Sequence, residues 1–406
     1  AASRPPHWDG PNNFAPRLGV AYRVSNTTTI RAGAGVFFAL NTGGASLVSM
    51  TSPLPFFVNA SVVSGNARPE LDISDLFPPP EKTAGAIGSN QDLKRRDGYI
   101  YQYNLNIQHQ LRPGLLVEAG YIGNTAHKQV GTVYLNQPRL PADPSNPAPF
   151  AARSPYPKLI PTFSQNTNYQ WSNYNAVFLK VEKRAAAGLS YTAAYTFSKM
   201  LETSGPGQNM YDRRPERGLS ANHVPHNFIA SWVYELPLGK GRKFNLANPV
   251  LDGIAGGWQI NGIANFVSGR WFTIAAANDL ANVGTGGQRA DATGVKPRKL
   301  DPRTNGLYGF DIAAYKTPAR GVFGSLGPTT QPGFGLNNWD FSAAKNFPIR
   351  WLGEASRLQF RFEWFNFFNH TQFNNTGATV NVPSSFGLVN STLDPRILQI
   401  AGKLYW

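Results

Sequence analysis

The chain reads as all-β: an antiparallel up-and-down transmembrane β-barrel, here an incomplete barrel of about 11 strands with long outer loops. Three observations lead there. Its candidate strands alternate apolar and polar residues with a period of two, so each has one apolar face. Its connections alternate in length, short after Val24, Arg112, Lys183, Leu236 and Phe347, long after Phe38, Thr125, Ser198, Ser268 and Asn369. In a meander this puts every short turn on one rim and every long loop on the other, as in outer-membrane barrels. Its last segment, Arg396 to Trp406, is itself a strand sealed by an aromatic residue, which suits the closing strand of a barrel better than a fraying soluble terminus.

Composition agrees. Charged residues make up 15% of the 406 positions, against about 25% in typical soluble domains. Aromatics reach 13%, and 40 Gly and 32 Pro supply turns. No run of roughly twenty apolar residues could form a transmembrane helix, so a membrane protein of this sequence has to cross as a barrel. There are no Cys, which removes disulfides and thiolate metal or nucleophile sites. The net charge of +15 is scattered, with one dense cluster at Lys94-Arg95-Arg96. That distribution argues for solvated loops and a basic lumen, and against nucleic acid. Residues 1–13 read as a truncated lead-in and 14–406 as the C-terminal part of a transmembrane β-barrel domain. Since such barrels have even strand numbers, an odd number is expected upstream.

The first hairpin joins Phe14–Val24, with Leu18, Val20, Tyr22 and Val24 aligned, to Thr29–Phe38 through Ser25-Asn26-Thr27. Asn41 to Asp97 is a long Pro- and Gly-rich loop. Tyr99–Arg112 is the clearest strand, with Tyr99, Tyr101, Tyr103, Leu105, Ile107 and Leu111 against Gln102, Asn104, Asn106, Gln108 and Gln110. Its tyrosines gather at one end, as an interfacial girdle requires, and His109 is the polar intruder on the apolar face. Leu115–Thr125 returns. A loop over Gln129–Trp171 leads to the strand Asn173–Lys183, a short turn, and Leu189–Ser198. After a loop over Lys199–Asn227 come Phe228–Leu236 and Trp258–Ser268, joined by a connection punctuated with Gly. Gly269–Asn337 is the longest loop, with room for a short hairpin near Leu307–Ala314. Asn338–Phe347 and Arg357–Asn369 form the next pair, and a loop over His370–Pro395 precedes the terminal strand.

Four segments carry a resemblance to the TonB-dependent outer-membrane receptor family, in its Oar-like, carboxypeptidase-regulatory-like branch. They are Tyr174–Arg184 leading to Gly188–Lys199; Arg217-Gly218-Leu219-Ser220 before His223 and His226; Asn338–Ser342 leading to Lys345–Pro348; and Arg357–His370 leading to Phe386-Gly387, Pro395-Arg396 and the last strand. The resemblance covers the last three-quarters of the chain. It implies an outer-membrane transporter in the bacterial cell outer membrane: a plug domain and a TonB box, neither found in this sequence, a ligand bound on outer loops, and energy drawn through TonB. It also implies insertion by the barrel-assembly machinery, for which Leu398, Ile400, Leu404 and Trp406 match the C-terminal signal.

No catalytic signature is found, and the chain is read as a non-enzyme without cofactor or metal. His223 and His226 stand three apart around Pro225, without a third ligand, and read as loop hydrogen-bonding residues. Gly239-Lys240-Gly241 lacks phosphate-loop spacing and reads as a turn. Arg31, Asp340, Arg357, Arg361 and Glu363 fall on the polar face and are assigned to the lumen, the last three as a ladder of charges. Tyr169, Trp171, Tyr211, Arg213 and Arg214 lie in or beside the outer loops and are the ligand-binding candidates, since aromatics and Arg dominate recognition surfaces; packing of loop on loop is the competing role. Siderophore, oligosaccharide and peptide all remain open as ligands. The competing readings are a non-transporting outer-membrane structural or adhesion protein on the same scaffold, and a secreted carbohydrate-binding β-protein.

Overall fold

The computed structural model describes residues 13–39, 89–92, 94–186, 188–203, 205–349, 351, 353, 356–374 and 376–406. Eleven strands among them follow one another in a single antiparallel sheet, each paired with its sequence neighbours. They are β1 (Arg17–Arg23), β2 (Thr28–Ala39), β3 (Gly98–Arg112), β4 (Leu115–Tyr134), β5 (Ser164–Ala186), β6 (Leu189–Thr203), β7 (His226–Glu235), β8 (Trp258–Val267), β9 (Leu336–Pro348), β10 (Arg357–Phe365) and β11 (Ile397–Tyr405). Two short strands join from the side: Ser89–Gln91 lies parallel to β5, and Arg217–Leu219 pairs with β6. Among the described residues β1 pairs only with β2 and β11 only with β10, so the sheet has two open edges and the barrel is not closed.

The register sorts side chains into two faces. Leu105 stands opposite Ala32 and Tyr121, Tyr121 opposite Val177, and Val177 opposite Phe197. Farther on, Tyr191 meets Trp232, Trp232 meets Gly262, Gly262 meets Phe341, and Phe341 meets Trp364, which faces Leu398. This apolar row crosses the whole sheet; Leu105, Val177 at 55%, Phe197 and Leu398 at 65% stay exposed, while Tyr121, Tyr191, Trp232, Phe341 and Trp364 are half-buried. A water-facing surface rarely carries such a continuous apolar belt. Glycines under aromatic rings tighten it. A Cβ at 262 would collide with the Trp232 ring, and one at 123 with Tyr103. His109, on the same face, hydrogen-bonds Thr28 Oγ1 through Nδ1 at 2.8 Å.

Several element boundaries differ from those the sequence predicts. The first strand spans Arg17–Arg23 rather than Phe14–Val24, and β10 ends at Phe365 rather than Asn369. The loop expected over Gln129–Trp171 is shorter, 135–163, because strand takes both of its ends: β4 and β5 continue past a bulge near Ala126, pairing Gln129 with Gln170 and Tyr134 with Ser164. Above a bilayer both faces of a hairpin are wet, so this overhang needs no apolar period and shows none. The expected loop over Asn41–Asp97 lies mostly outside the described residues. No hairpin forms near Leu307–Ala314; a turn of 3-10 helix covers Ile312–Ala314, and Phe310 bridges Lys299. Two short helices were not anticipated, α1 (Phe150–Arg153) and α2 (Pro249–Ala255). Asn248 caps α2, its side chain accepting from the backbone N–H of Val250 and Leu251 at 2.9 and 3.3 Å, and Pro249 fits its first turn.

The long loops do not hang free. Segments 268–335 and 366–396 share a hydrophobic core of Ile274, Ala290, Phe310, Ala314, Tyr315, Leu326 and Phe386. Phe310 sits edge-on to Phe272, Tyr315 and Phe386 at 5.5–6.0 Å between centroids. Together with 135–163 and 205–225 they form a folded cap over the long-loop rim. That cap holds most of the fully buried large side chains among the described residues.

Candidate functional site

Buried polar side chains join the cap loops. Glu216, from the 205–225 loop, makes a two-pronged ion pair with Arg289, Nη1 to Oε2 at 2.6 Å and Nη2 to Oε1 at 3.0 Å. The side chains are 1% and 7% exposed. Isolated buried charges are costly, so such a pair persists only where the remaining donors and acceptors are satisfied. Here they are: Arg289 Nε donates to Leu326 O at 2.6 Å, and the Gln208 backbone N–H donates to Glu216 Oε1 at 3.2 Å. Gln208 Nε2 donates to Gly324 O, and its Oε1 accepts from the Arg289 N–H. Gln137 donates to Gln208 O at 2.8 Å and to Thr285 Oγ1 at 2.9 Å, and accepts from Met210 N–H at 2.8 Å. Three loops distant in sequence are thus tied at one point. A cavity of about 200 Å³ opens beside it, walled by Gly205, Gly207, Gly286, Gly287, Glu216 and Arg289.

Of the predicted recognition residues, Tyr169, Trp171, Tyr211 and Arg213 make packing contacts here, and Arg214 does not. Tyr169 and Trp171 belong to β5 rather than to a loop. Arg213 stacks on the Tyr169 ring at 3.5 Å and Arg217 on Trp171 at 3.7 Å, a geometry that contributes about 0.5–2 kcal/mol according to desolvation. The Tyr169 hydroxyl donates to the carbonyls of Thr132 and Gly205. Tyr211 donates to Gln137 O at 2.6 Å and lies under Arg139 at 4.7 Å. Burial pushes the Tyr211 phenol above its ordinary range. Arg214 is exposed and pairs with Asp212 at 2.8 Å; that hydrogen-bonded contact holds the Asp212 carboxyl down at about 2. The two histidines are likewise hydrogen-bonded. His223 Nδ1 accepts from Met200 N–H at 3.3 Å, and burial, with Lys199 nearby, lowers its basicity. His226 Nδ1 shares a hydrogen bond with the Tyr195 hydroxyl at 2.7 Å.

Beneath the cap, the second face of the sheet is concave and mostly polar. Six strands, β5 to β10, border one cavity of about 630 Å³ on that face, with Glu182, Thr192, Ser231, Asn261, Ser342 and Arg361 among its walls. The register puts all five predicted lumen residues on this side: Arg31 faces Asn106, Glu363 faces Ser342 and Gln399, Arg361 faces Ala344, and Arg357 faces Tyr405. Asp340 is opposite Ile263. The expected ladder of charges is only partly formed. Arg361 pairs with Glu363 at 2.5 Å, but Arg357 stacks on Tyr405 at 4.2 Å. Asp340 Oδ1 accepts from Asn338 Nδ2 and the Asn366 N–H, both at 2.9 Å, and Arg31 donates to Gln108 at 3.2 Å. Val233 and Ile263, also on this face, were not anticipated; they give the cavity an apolar patch. Each is an apolar exception on a mostly polar parity, beside Ser231 and Glu235 in one strand and Asn261 and Asn265 in the other, so the period of two gives no reason to single it out.

The sequence matches the family model described as "Outer membrane beta barrel domain" over residues 6–399. No curated protein sequence matches. Among solved structures, the outer membrane transporter YddB from Escherichia coli aligns at a TM-score of 0.51 and 11% identity, over 96% of this chain and 40% of that one. The FrpB iron transporter from Neisseria meningitidis (F3-3 variant) gives 0.45 and 12%, over 96% and 39%. The ferric-catecholate import receptor Fiu from Escherichia coli K12 gives 0.43 and 12%, over 96% and 34%. The chain therefore spans well under half the length of these transporters, and its likeness to YddB is one of fold.

Proposed function

Because the chain belongs to the outer membrane beta barrel domain family, we propose that it forms part of the wall, and the outer cap, of a receptor that takes up a ligand across the bacterial outer membrane. Its apolar face stands in the bilayer. The concave face lines the route inward, and residues 14–406 are the C-terminal part of the barrel domain, with 1–13 leading in. Uptake on this reading involves no chemical transformation. Energy coupled through TonB, the Oar-like branch, and insertion by the barrel-assembly machinery through Leu398, Ile400, Leu404 and Trp406 rest on the resemblance of the four sequence segments.

The observation that carries the proposal is the cap itself. Three loops are locked together by Glu216, Arg289, Gln137 and Gln208 directly beyond the rim of a polar concave wall. A purely structural barrel has no need of a rigid folded cap at the mouth of its lumen. The ligand enters through the cap cavity beside Glu216 and Arg289, and Arg214, whose side chain is exposed, adds positive charge at the outer surface.

The test uses cells with and without the full-length gene, given radio-iron bound to siderophores, labelled oligosaccharides, or labelled peptides. One class should accumulate only in cells with the gene, and a protonophore should abolish the difference. Equal accumulation of all three would favour the non-transporting surface role on the same scaffold.

A further inference from the structure

The connection between β7 and β8, on the short-turn rim, carries a helix on the outside of the wall. Within α2, Val250, Leu251 and Ile254 are 68%, 53% and 67% exposed. At about 100° per residue these three fall within an arc of about 100°, while Asp252 points to the opposite side. Asp252 fastens the helix inward, its Oδ1 accepting from the Lys240 N–H at 2.8 Å. The apolar stripe therefore faces away from the protein.

Which side of the wall the helix occupies is settled by Lys345. The register places Lys345 between Trp258 and Phe360, on the apolar face. Yet it is only 5% exposed, because its ammonium donates to Gly253 O at 2.5 Å. Trp258, in the same row, donates from Nε1 to Ile254 O at 2.8 Å. Helix α2 thus lies over the bilayer-facing side at the short-turn rim, continuous with the lipid-facing belt. Lys240 and Lys243 are exposed beside it in the Gly239–Gly241 turn and just after, Lys243 over the Phe244 ring at 5.6 Å.

We propose that α2 is an in-plane membrane anchor. Val250, Leu251 and Ile254 enter the edge of the hydrocarbon layer in the leaflet at the short-turn rim, and Lys240 and Lys243 meet anionic phospholipid headgroups there. An apolar stripe flanked by basic residues is the recognised form of an interfacial helix, and a Lys close to the surface is attracted to an anionic leaflet. The anchor fixes the depth of the wall at β7–β8, beneath the cap's 205–225 loop at the other end of the same strands.

The test is a set of single thiols in the full-length protein, reconstituted in vesicles containing only this protein and lipid. Val250→Cys, Leu251→Cys, Ile254→Cys and Asn26→Cys, the last in the Ser25–Thr27 turn on the same rim, each carry a bimane label. Brominated phospholipid should quench the three α2 labels several-fold more than the label at 26, and aqueous iodide should show the reverse order. Brominated phosphatidylglycerol should outdo brominated phosphatidylcholine at these sites, and the Lys240→Gln/Lys243→Gln pair should abolish that preference. Labels at 250, 251 and 254 that iodide reaches as readily as 26 would overturn the proposal. So would labels shielded from iodide but blind to brominated lipid, which would mean that protein covers the helix. A preference unchanged by the double substitution would overturn the headgroup assignment.

Discussion

Glu216 and Arg289 show how single residues hold the cap. Each takes a charge out of water, and each depends on the other for compensation. Glu216→Ala leaves the Arg289 guanidinium buried and unpaired and should cost about 3–5 kcal/mol of cap stability. Hydrogen exchange should show faster exchange across segments 205–225 and 268–335 while the amides of β3 to β6 stay protected. Tyr315 offers a pH readout of the same cap. Burial raises its phenol to about 12, and its hydroxyl donates to Gln331 at 2.7 Å. A folded-state pKa above the unfolded value, near 10 for Tyr, means the contribution is intact below about pH 10. It is lost as pH climbs toward 12. Phenolate absorbance of the native protein, less that of Tyr315→Phe, should titrate near pH 12. A difference curve centred near 10 would mean the cap core is open to water. None of these residues was legible beforehand. Gln137 and Thr285, or Glu216 and Arg289, meet only because separate loops fold back on one another, and sequence spacing carries no trace of that.

At the scale of the element, legibility follows the surroundings. In β3, β6, β10 and β11 one face must be apolar and the other polar, and the period of two is written into the chain. Where β4 and β5 rise past the bulge at Ala126, Tyr169, Trp171 and their neighbours see water and loop on both sides, and the signal disappears. Helix α2 was hidden for a related reason: seven residues are too few for a helical period, although Asn248-Pro249 marks its start. The face assignment of β11 makes a sharp prediction. Ile400 shares the apolar row with Phe362, and Gln399 the polar row with Glu363. Ile400→Arg should destabilise the folded protein by about 2–4 kcal/mol, the cost of a basic side chain on the lipid face near midplane. Gln399→Arg, beside Glu363, should cost little. Urea titration in lipid vesicles distinguishes them, and equal losses would refute the assignment.

For the molecule as a whole, the alternation of short and long connections was the most informative feature of the sequence, because it follows from topology rather than from any local propensity. The eleven strands occur in the expected order. The edge strands β1 and β11 each leave a line of backbone groups without a sheet partner among the described residues. In a bilayer each such group costs several kcal/mol, so the wall is expected to continue at both edges when the protein is in the membrane. The cap, by contrast, was expected only as long outer loops, with loop-on-loop packing as a competing role for five residues, and it is a second packed core with polar ties. It sits where a ligand would first meet the protein.

The central claim is that this sheet spans a bilayer with its apolar row outward. Nitroxide labels placed one at a time from Ile397 to Tyr405, in the full-length protein in lipid vesicles, test it most directly. Collision with oxygen should peak at Leu398, Ile400 and Leu404, and collision with a water-soluble nickel reagent at Gln399, Ala401 and Lys403. Accessibility that fails to alternate, or nickel collisions dominating at Leu398, Ile400 and Leu404, would contradict it.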